Sequence, residues 1–276
     1  MEKWVKMIKG SNETILTDID DLVYLDFKEE DVESRINLQE ISGVDGGLLS
    51  PISFAPFNLV LRFVYSGSDI KDYHLLKKKM RSILYTREPF YIVHSDMPSM
   101  KYAVITDSTA IEDLYGRNGT FEVTFTVFKG YSESLYETNQ YSNTSDKWQF
   151  GNDTIINDDI KYKHSSSEFK IFNGSSDTVA PFPHRHKLII KINVDAPSGF
   201  KLINKTTGDV FEYKKSITKN KQIVINGIYP TIDGYRVGIN TNHEWLTLSP
   251  GFNDIEIAGE NISNPTVEFI FPFIYR

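Results

Sequence analysis

The most constraining feature of the sequence is an alternation of apolar and polar residues near its C-terminal end. Leu246 and Leu248 flank a threonine, and Ile255 and Ile257 alternate with acidic residues. Between them lies a Ser-Pro-Gly-Phe sequence in which Gly251 is free to adopt a positive φ. A period of two is typical of strands that bury one face, so the pattern predicts a β-hairpin.

The rest of the second half also has the pattern of an all-β domain. A terminal strand follows the hairpin, with apolar side chains at Val267, Phe269, Phe271 and Phe273, and it needs a partner sheet to bury that face. Further short strands occur at the spacing of a β-sandwich, and no helix is needed. They are predicted at residues 147–150, 168–172, 187–194, 200–204, 209–213, 222–226 and 235–239.

The first half predicts an α+β domain. Residues 57–65 and 119–130 alternate strongly, and residues 90–94 and 101–107 are shorter strands. Residues 35–41 are predicted as another strand, which ends in a glycine-containing loop. Because no Lys-Ser or Lys-Thr follows this loop, we predict a plain loop rather than a phosphate loop.

One amphipathic helix is predicted from about Asp69, a suitable N-cap, to Tyr85. Its apolar stripe has spacings of three and four and contains Ile70, Tyr73, Leu76, Met80 and Ile83 or Leu84. A basic run at residues 77–79 and Arg81 lies mostly off this stripe. We interpret it as a solvated face or a subunit contact rather than a contact to nucleic acid.

A polar stretch, residues 131–145, has the composition of a linker. It divides the chain into predicted domains at residues 1–140 and 141–276. The predicted fold class is therefore mainly β with one helix, an α+β domain followed by a β-sandwich.

Composition excludes several classes of function. The chain has no cysteine, which rules out disulfides, thiolate metal sites and cysteine nucleophiles. Residues 1–140 contain 22 acidic and 15 basic side chains, whereas residues 141–276 contain 15 of each, so the net charge of −7 arises in the first half. An acidic domain lacks the basic surface that binds phosphates, and we predict no specific nucleic-acid binding.

No segment approaches the roughly 20 apolar residues of a membrane span and residues 1–10 lack a secretory apolar core, so we expect no membrane insertion and no signal sequence.

Two sequence patterns contain residue types that are found in chemical sites. His184 and His186 share one face of an extended segment, but no third ligand stands nearby at an obvious zinc spacing. The aspartate pairs at residues 20–21 and 158–159 resemble glycosidase carboxylates, yet adjacent residues of a strand point to opposite faces. We therefore predict no catalytic residue, no metal site and no cofactor.

The sequence Leu-x-Pro-Gly-x-Asn-x-Ile, which contains Pro250, Gly251 and Asn253, resembles the end of the distal tail proteins of long-tailed phages that infect Gram-positive bacteria, of the staphylococcal type. Residues 187–193, 202–211 and 222–227 resemble the second domain of the same family. The order of elements in the first half resembles its ring-forming belt domain.

The resemblance implies a hexameric ring of belt domains, each followed by a galectin-like jelly-roll sandwich. In such a ring the edge strands of neighbouring copies pair. Our candidates for the ring interface are the strands that contain Phe57, Leu59, Leu61, Phe63, Phe121, Val123, Phe125 and Val127.

The resemblance also implies a hub at the tail tip or baseplate of the virion, assembled in the host cytoplasm. Its implied partners are further copies of itself, the tail tube protein, a tail-associated lysin or tail fibre protein, the tape measure protein and receptor-binding baseplate proteins. DNA would pass through the central channel, and an acidic lining would let the duplex slide.

Two other functions remain open from the sequence. Trp148 and Trp245 could stack on sugar rings in a carbohydrate-binding module that contacts cell-wall glycan, or they could fill the sandwich core. A wall hydrolase is the third hypothesis, and the lack of a recurring catalytic constellation weighs against it.

Overall fold

The chain folds into two compact units, Met1–Glu133 together with Arg276, and Ser134–Tyr275. A computed structural model describes residues 3–66, 70–115, 118–142, 148 and 160–276. The units divide after residue 133 rather than after residue 140, and the predicted domain limits remain a prediction. Within the described residues, no helix combines the length and the hydrophobicity needed to cross a membrane.

The first unit contains a large β-sheet and the only α-helix of the described residues. Its strands are β1 Val5–Lys9, β2 Asn12–Ile15, β3 Leu22–Glu29, β4 Ser34–Arg35, β5 Leu38–Glu40, β6 Gly47–Leu49, β7 Ser53–Phe54, β8 Phe57–Ser66, β9 Phe90–His94, β10 Met100–Tyr115 and β11 Asn118–Ser134, and its helix is α1 Ile70–Leu84. The sheet has the order β2-β1-β9-β10-β11-β8-β3, and β4 to β7 lie outside it.

Strands β8 and β11 form the centre of this sheet. They pair antiparallel over ten residue pairs, from Asn118 opposite Ser66 to Val127 opposite Phe57. The apolar residues of both strands alternate as predicted and point to one face, where the rings of Phe63 and Phe121 stack at 5.4 Å. Each large side chain fully buried there contributes roughly 1.5–3 kcal/mol. The periodicity of these strands therefore predicts correctly which of their faces is buried in the core.

Helix α1 packs on the buried face of the sheet and confirms the predicted helix. Leu76, Met80 and Leu84 are buried against the core, and Ile83 is partly buried. The side chains of Ile70 and Tyr73 and the predicted N-cap at residue 69 lie outside the described residues.

The second unit is a β-sandwich. Its strands are β12 Lys163–His164, β13 Glu168–Asn173, β14 Ile189–Asp195, β15 Phe200–Asn204, β16 Val210–Tyr213, β17 Ile223–Asn226, β18 Tyr229–Ile232, β19 Tyr235–Arg236, β20 Gly251–Ala258, β21 Ser263–Ile270 and β22 Ile274–Tyr275. One sheet has the order β12-β21-β14-β17-β18-β19, and the other has the order β13-β20-β15-β16. The fold class predicted from the sequence, mainly β with an α+β unit and a sandwich, is confirmed.

The terminal hairpin, however, was predicted with the wrong partners. The turn exists, and Gly251 has a φ of +87°. The segment before it does not pair with β20, which lies between β13 and β15. Leu248 instead forms an isolated antiparallel bridge with Val179. The predicted terminal strand is correct for Val267 and Phe269, whereas Phe271 and Phe273 are buried but lie beyond the end of β21 at Ile270.

A buried histidine lies in the core of the first unit. The ring of His94 stacks on Tyr102 with centroids 5.8 Å apart and lies 4.4 Å from the ring of Phe27. Its Nδ1 is 3.3 Å from the hydroxyl of Tyr24, which donates a hydrogen bond to Asp96 at 2.9 Å. Nε2 has no hydrogen-bond partner within the described residues. Burial favours the neutral imidazole and lowers the pKa of His94 to about 4.

We expect the stability of the protein to decrease as the pH falls from 6.5 toward 4. In this window the unfolded chain protonates His94, whereas the folded chain keeps it neutral. The contribution of His94 is therefore complete above pH 6.5 and is lost as the pH approaches 4, by up to about 3 kcal/mol. Denaturant unfolding at several pH values across the window measures this loss.

The matched control is His94→Gln, whose side chain is neutral at every pH. This variant should lose the pH dependence attributed to His94 while keeping the dependence due to other groups. Glu29 works in the opposite direction, since burial raises its pKa. A variant with the same pH slope as the wild type between pH 4 and 6.5 would contradict the assignment.

Candidate functional site

The Pro-Gly-x-Asn sequence forms a turn that is fixed from inside the sandwich. Asn253 is fully buried, and its Oδ1 accepts hydrogen bonds from the Ser249 amide at 3.0 Å and from Nδ2 of Asn204 at 3.1 Å. Its Nδ2 donates to the carbonyls of Ser249 at 2.8 Å and Gly251 at 3.2 Å. Pro250, between them, is exposed. The role visible for this motif is to hold the loop on the sheet.

Two other buried asparagines hold the same loop, and the sequence analysis missed both. Asn204 donates to the Thr247 carbonyl at 2.8 Å, and Asn173 donates to the Leu248 carbonyl at 2.9 Å. Each also accepts from the backbone amide two residues further on, at 3.0 Å and 3.1 Å. Asparagine at the end of a strand, followed by small polar residues, is the signal for such turns.

The eight side chains predicted for the ring interface instead fill the core of the first unit. None is more than 4% exposed. Their strands are central as well, because β8 has neighbours β11 and β3, and β11 has neighbours β10 and β8. The correction applies to Phe57, Leu59, Leu61, Phe63, Phe121, Val123, Phe125 and Val127. Alternation reveals which face is buried, but it does not tell a chain's own core from a contact with another copy.

The two candidate sugar-stacking tryptophans differ in accessibility. Trp148 is 4% exposed, and its ring lies 5.2 Å from that of Tyr141 and 5.4 Å from that of Phe273. It therefore has no face for a sugar. Trp245 is partly buried and meets the ring of Phe182 edge to face at 5.3 Å. Phe182 is 53% exposed, so this pair reaches the surface.

The two histidines lie together, with ring centroids 5.5 Å apart, but neither they nor the aspartate pairs belong to a larger group of metal-binding side chains among the described residues. His186 is buried, and its Nδ1 accepts the Ala180 amide at 3.2 Å, while His184 is exposed. Asp20 and Asp21 are exposed in a turn, and the pair at residues 158–159 lies outside the described residues. In the described part of the chain, no three potential metal ligands gather.

Exposed apolar side chains also cluster in one segment for which the sequence predicts no function. Residues 34–54, which we call the arm, form two short ladders, β4 with β7 and β5 with β6. Exposed apolar patches of this kind mark interaction surfaces. Eight large apolar side chains of the arm are 38–63% exposed: Ile36, Leu38, Ile41, Val44, Leu48, Leu49, Ile52 and Phe54.

Replacing Asn253 with alanine should lower the free energy of unfolding by about 2–4 kcal/mol, because buried donors and acceptors of the loop lose their partner. Denaturant unfolding measures the change. The matched control is Pro250→Ala, at an exposed position of the same turn, which should cost under about 1 kcal/mol. Equal effects of the two substitutions would show that the buried amide does not hold the loop.

Comparison with known proteins agrees with this architecture. Residues 9–127, which include the arm and α1, match the phage tail protein RIFT-related domain family. No curated protein sequence matches the chain.

Among solved structures, the Dit protein of phage SPP1, described as a paradigm of hub adsorption apparatus in phages that infect Gram-positive bacteria, superposes with a TM-score of 0.68 at 12% identity. The similarity covers 98% of this chain and 99% of that one. A chain of the phage p2 baseplate in its activated conformation reaches a TM-score of 0.45 at 13% identity, over 99% of this chain and 98% of that one, which is too low to support an argument. Residues 9–127 therefore match a phage tail protein domain family, and the chain has the fold of SPP1 Dit.

Proposed function

We propose that the protein is a structural component of a phage tail tip, a distal tail protein that acts as a hub. The observation that carries this proposal is the correspondence with SPP1 Dit over nearly the full length of both chains. The correspondence includes both units of the chain. The tail-domain match within the first unit supports the same function.

In this proposal six copies form a ring through their first units, at the tail tip or baseplate of the virion. The tail tube protein binds on one side, and a tail-associated lysin or tail fibre protein binds on the other. The tape measure protein and receptor-binding baseplate proteins are further partners. Assembly takes place in the cytoplasm of a Gram-positive host, of the staphylococcal type.

The ring leaves a central channel for DNA. The net charge of residues 1–140 is negative, with 22 acidic against 15 basic side chains. A channel lined by acidic groups repels the phosphates and lets the duplex slide.

The proposed hub function gives the chain no catalytic role, so a zymogram with purified protein should show no clearance of cell wall.

A carbohydrate-binding module is the second candidate, and one observation favours it. Phe182 and Trp245 form an aromatic pair that reaches the surface of the sandwich. Exposed aromatic rings suit stacking on sugars. A glycan array separates the two functions: binding that is lost in Trp245→Ala supports the module, whereas a ring without glycan binding supports the hub alone.

We expect the purified protein to form a closed ring. Six copies of the 31.7 kDa chain give about 190 kDa, which light scattering on a sizing column measures directly. Negative-stain images of the same peak should show rings with a central opening. A single species at 31.7 kDa over a wide concentration range, both alone and with its tail tube protein, would contradict the hub function.

A further inference from the structure

The arm needs a covering surface that the described residues of its own chain do not supply. Its ladders are only two strands wide, and a two-stranded ribbon is marginally stable alone in water. All of its large apolar side chains remain substantially exposed. A partner surface must therefore cover them if the arm is to hold one conformation.

The arm and the segment leading into it are acidic. Residues 29–54 contain six acidic side chains and one arginine, a net charge of −5. Asp31, Glu33, Glu40 and Asp45 are all exposed and form no ion pair within the described residues. A partner for the arm should thus combine apolar surface with positive charge.

Helix α1 presents such a surface in the same unit. Residues 70–84 contain five basic side chains and one aspartate, a net charge of +4. Lys78, Lys79 and Arg81 are exposed, and Lys77 is partly buried. Among the described residues, none of these four forms an ion pair. Leu75, beside them, is 64% exposed, so the basic face contains an apolar centre.

We propose that the arm of one copy lies on the outer face of α1 of the next copy. The apolar side chains of the arm cover Leu75, and its carboxylates pair with the basic side chains around it. This inference rests on the proposed ring, because it names the surfaces that join neighbouring copies. The two surfaces belong to different elements, so the contact is head to tail, the type that closes into rings.

Charge reversal tests this contact from both sides. The helix-reversed variant combines Lys77→Glu, Lys78→Glu and Lys79→Glu, and the arm-reversed variant combines Glu33→Lys, Glu40→Lys and Asp45→Lys. Each variant places like charges across the interface, so each alone should associate at least tenfold more weakly than the wild type. Lysine and glutamate have similar helix propensities, and circular dichroism checks that both variants fold.

Mixing the two variants restores opposite charges at every contact, because each arm then meets a complementary helix. We expect an equimolar mixture, and a single chain that carries all six substitutions, to recover the ring. The matched control reverses three exposed lysines of the sandwich, Lys214→Glu, Lys215→Glu and Lys221→Glu, and should assemble like the wild type.

The outcomes separate this inference from the hub function. If the wild type and the two charge-reversed variants all form rings, the arm-to-helix contact is wrong and the hub function is unaffected. Loss of assembly in each variant without recovery in the mixture would also overturn it. A wild type that never assembles, even with its tail tube protein, would overturn both proposals.

Discussion

The pairing of β8 with β11 is the interaction on which the first unit depends. Ten residue pairs place the large apolar side chains of both strands on one face, where α1 covers them. This arrangement uses the apolar faces of both strands for the core and their backbone groups for sheet neighbours. The apolar side chains on the buried face of these strands are therefore not available for contacts with other copies. The arm and the outer face of α1 carry exposed apolar and charged side chains, and they are the surfaces that we propose for contacts between copies.

In the second unit, the side-chain amides of buried asparagines form hydrogen bonds to backbone groups that strand pairing would satisfy elsewhere. The segment before β20 is not part of a regular ladder, and its backbone groups need other partners. Asn173, Asn204 and Asn253 supply them with both ends of their amide groups. The Pro-Gly-x-Asn motif thus marks a structural requirement of the sandwich, and a resemblance in this motif reports shared architecture rather than a binding site.

Much of the fold could be predicted from the sequence because its strongest elements have strong periodicity. The strands β8 and β11 and the helix α1 were identified because their apolar spacing matches one secondary structure only. The partners of Leu248 could not be predicted, since a buried amide far along the chain decides the path of that loop. The sequence does not predict the arm as an interaction surface, because the arm lacks such periodicity. Its apolar side chains follow no pattern of burial within the monomer, and only their exposure in the folded chain reveals them.

The proposed hub function requires that copies of the first unit build a ring at the tail tip. A cryo-EM reconstruction of the assembled protein tests it most directly. We expect first units arranged around a central opening, with residues 34–54 of each copy against α1 of its neighbour and acidic side chains facing the channel. An assembly joined through the sandwich units, or a ring with a basic channel and uncovered arms, would contradict it.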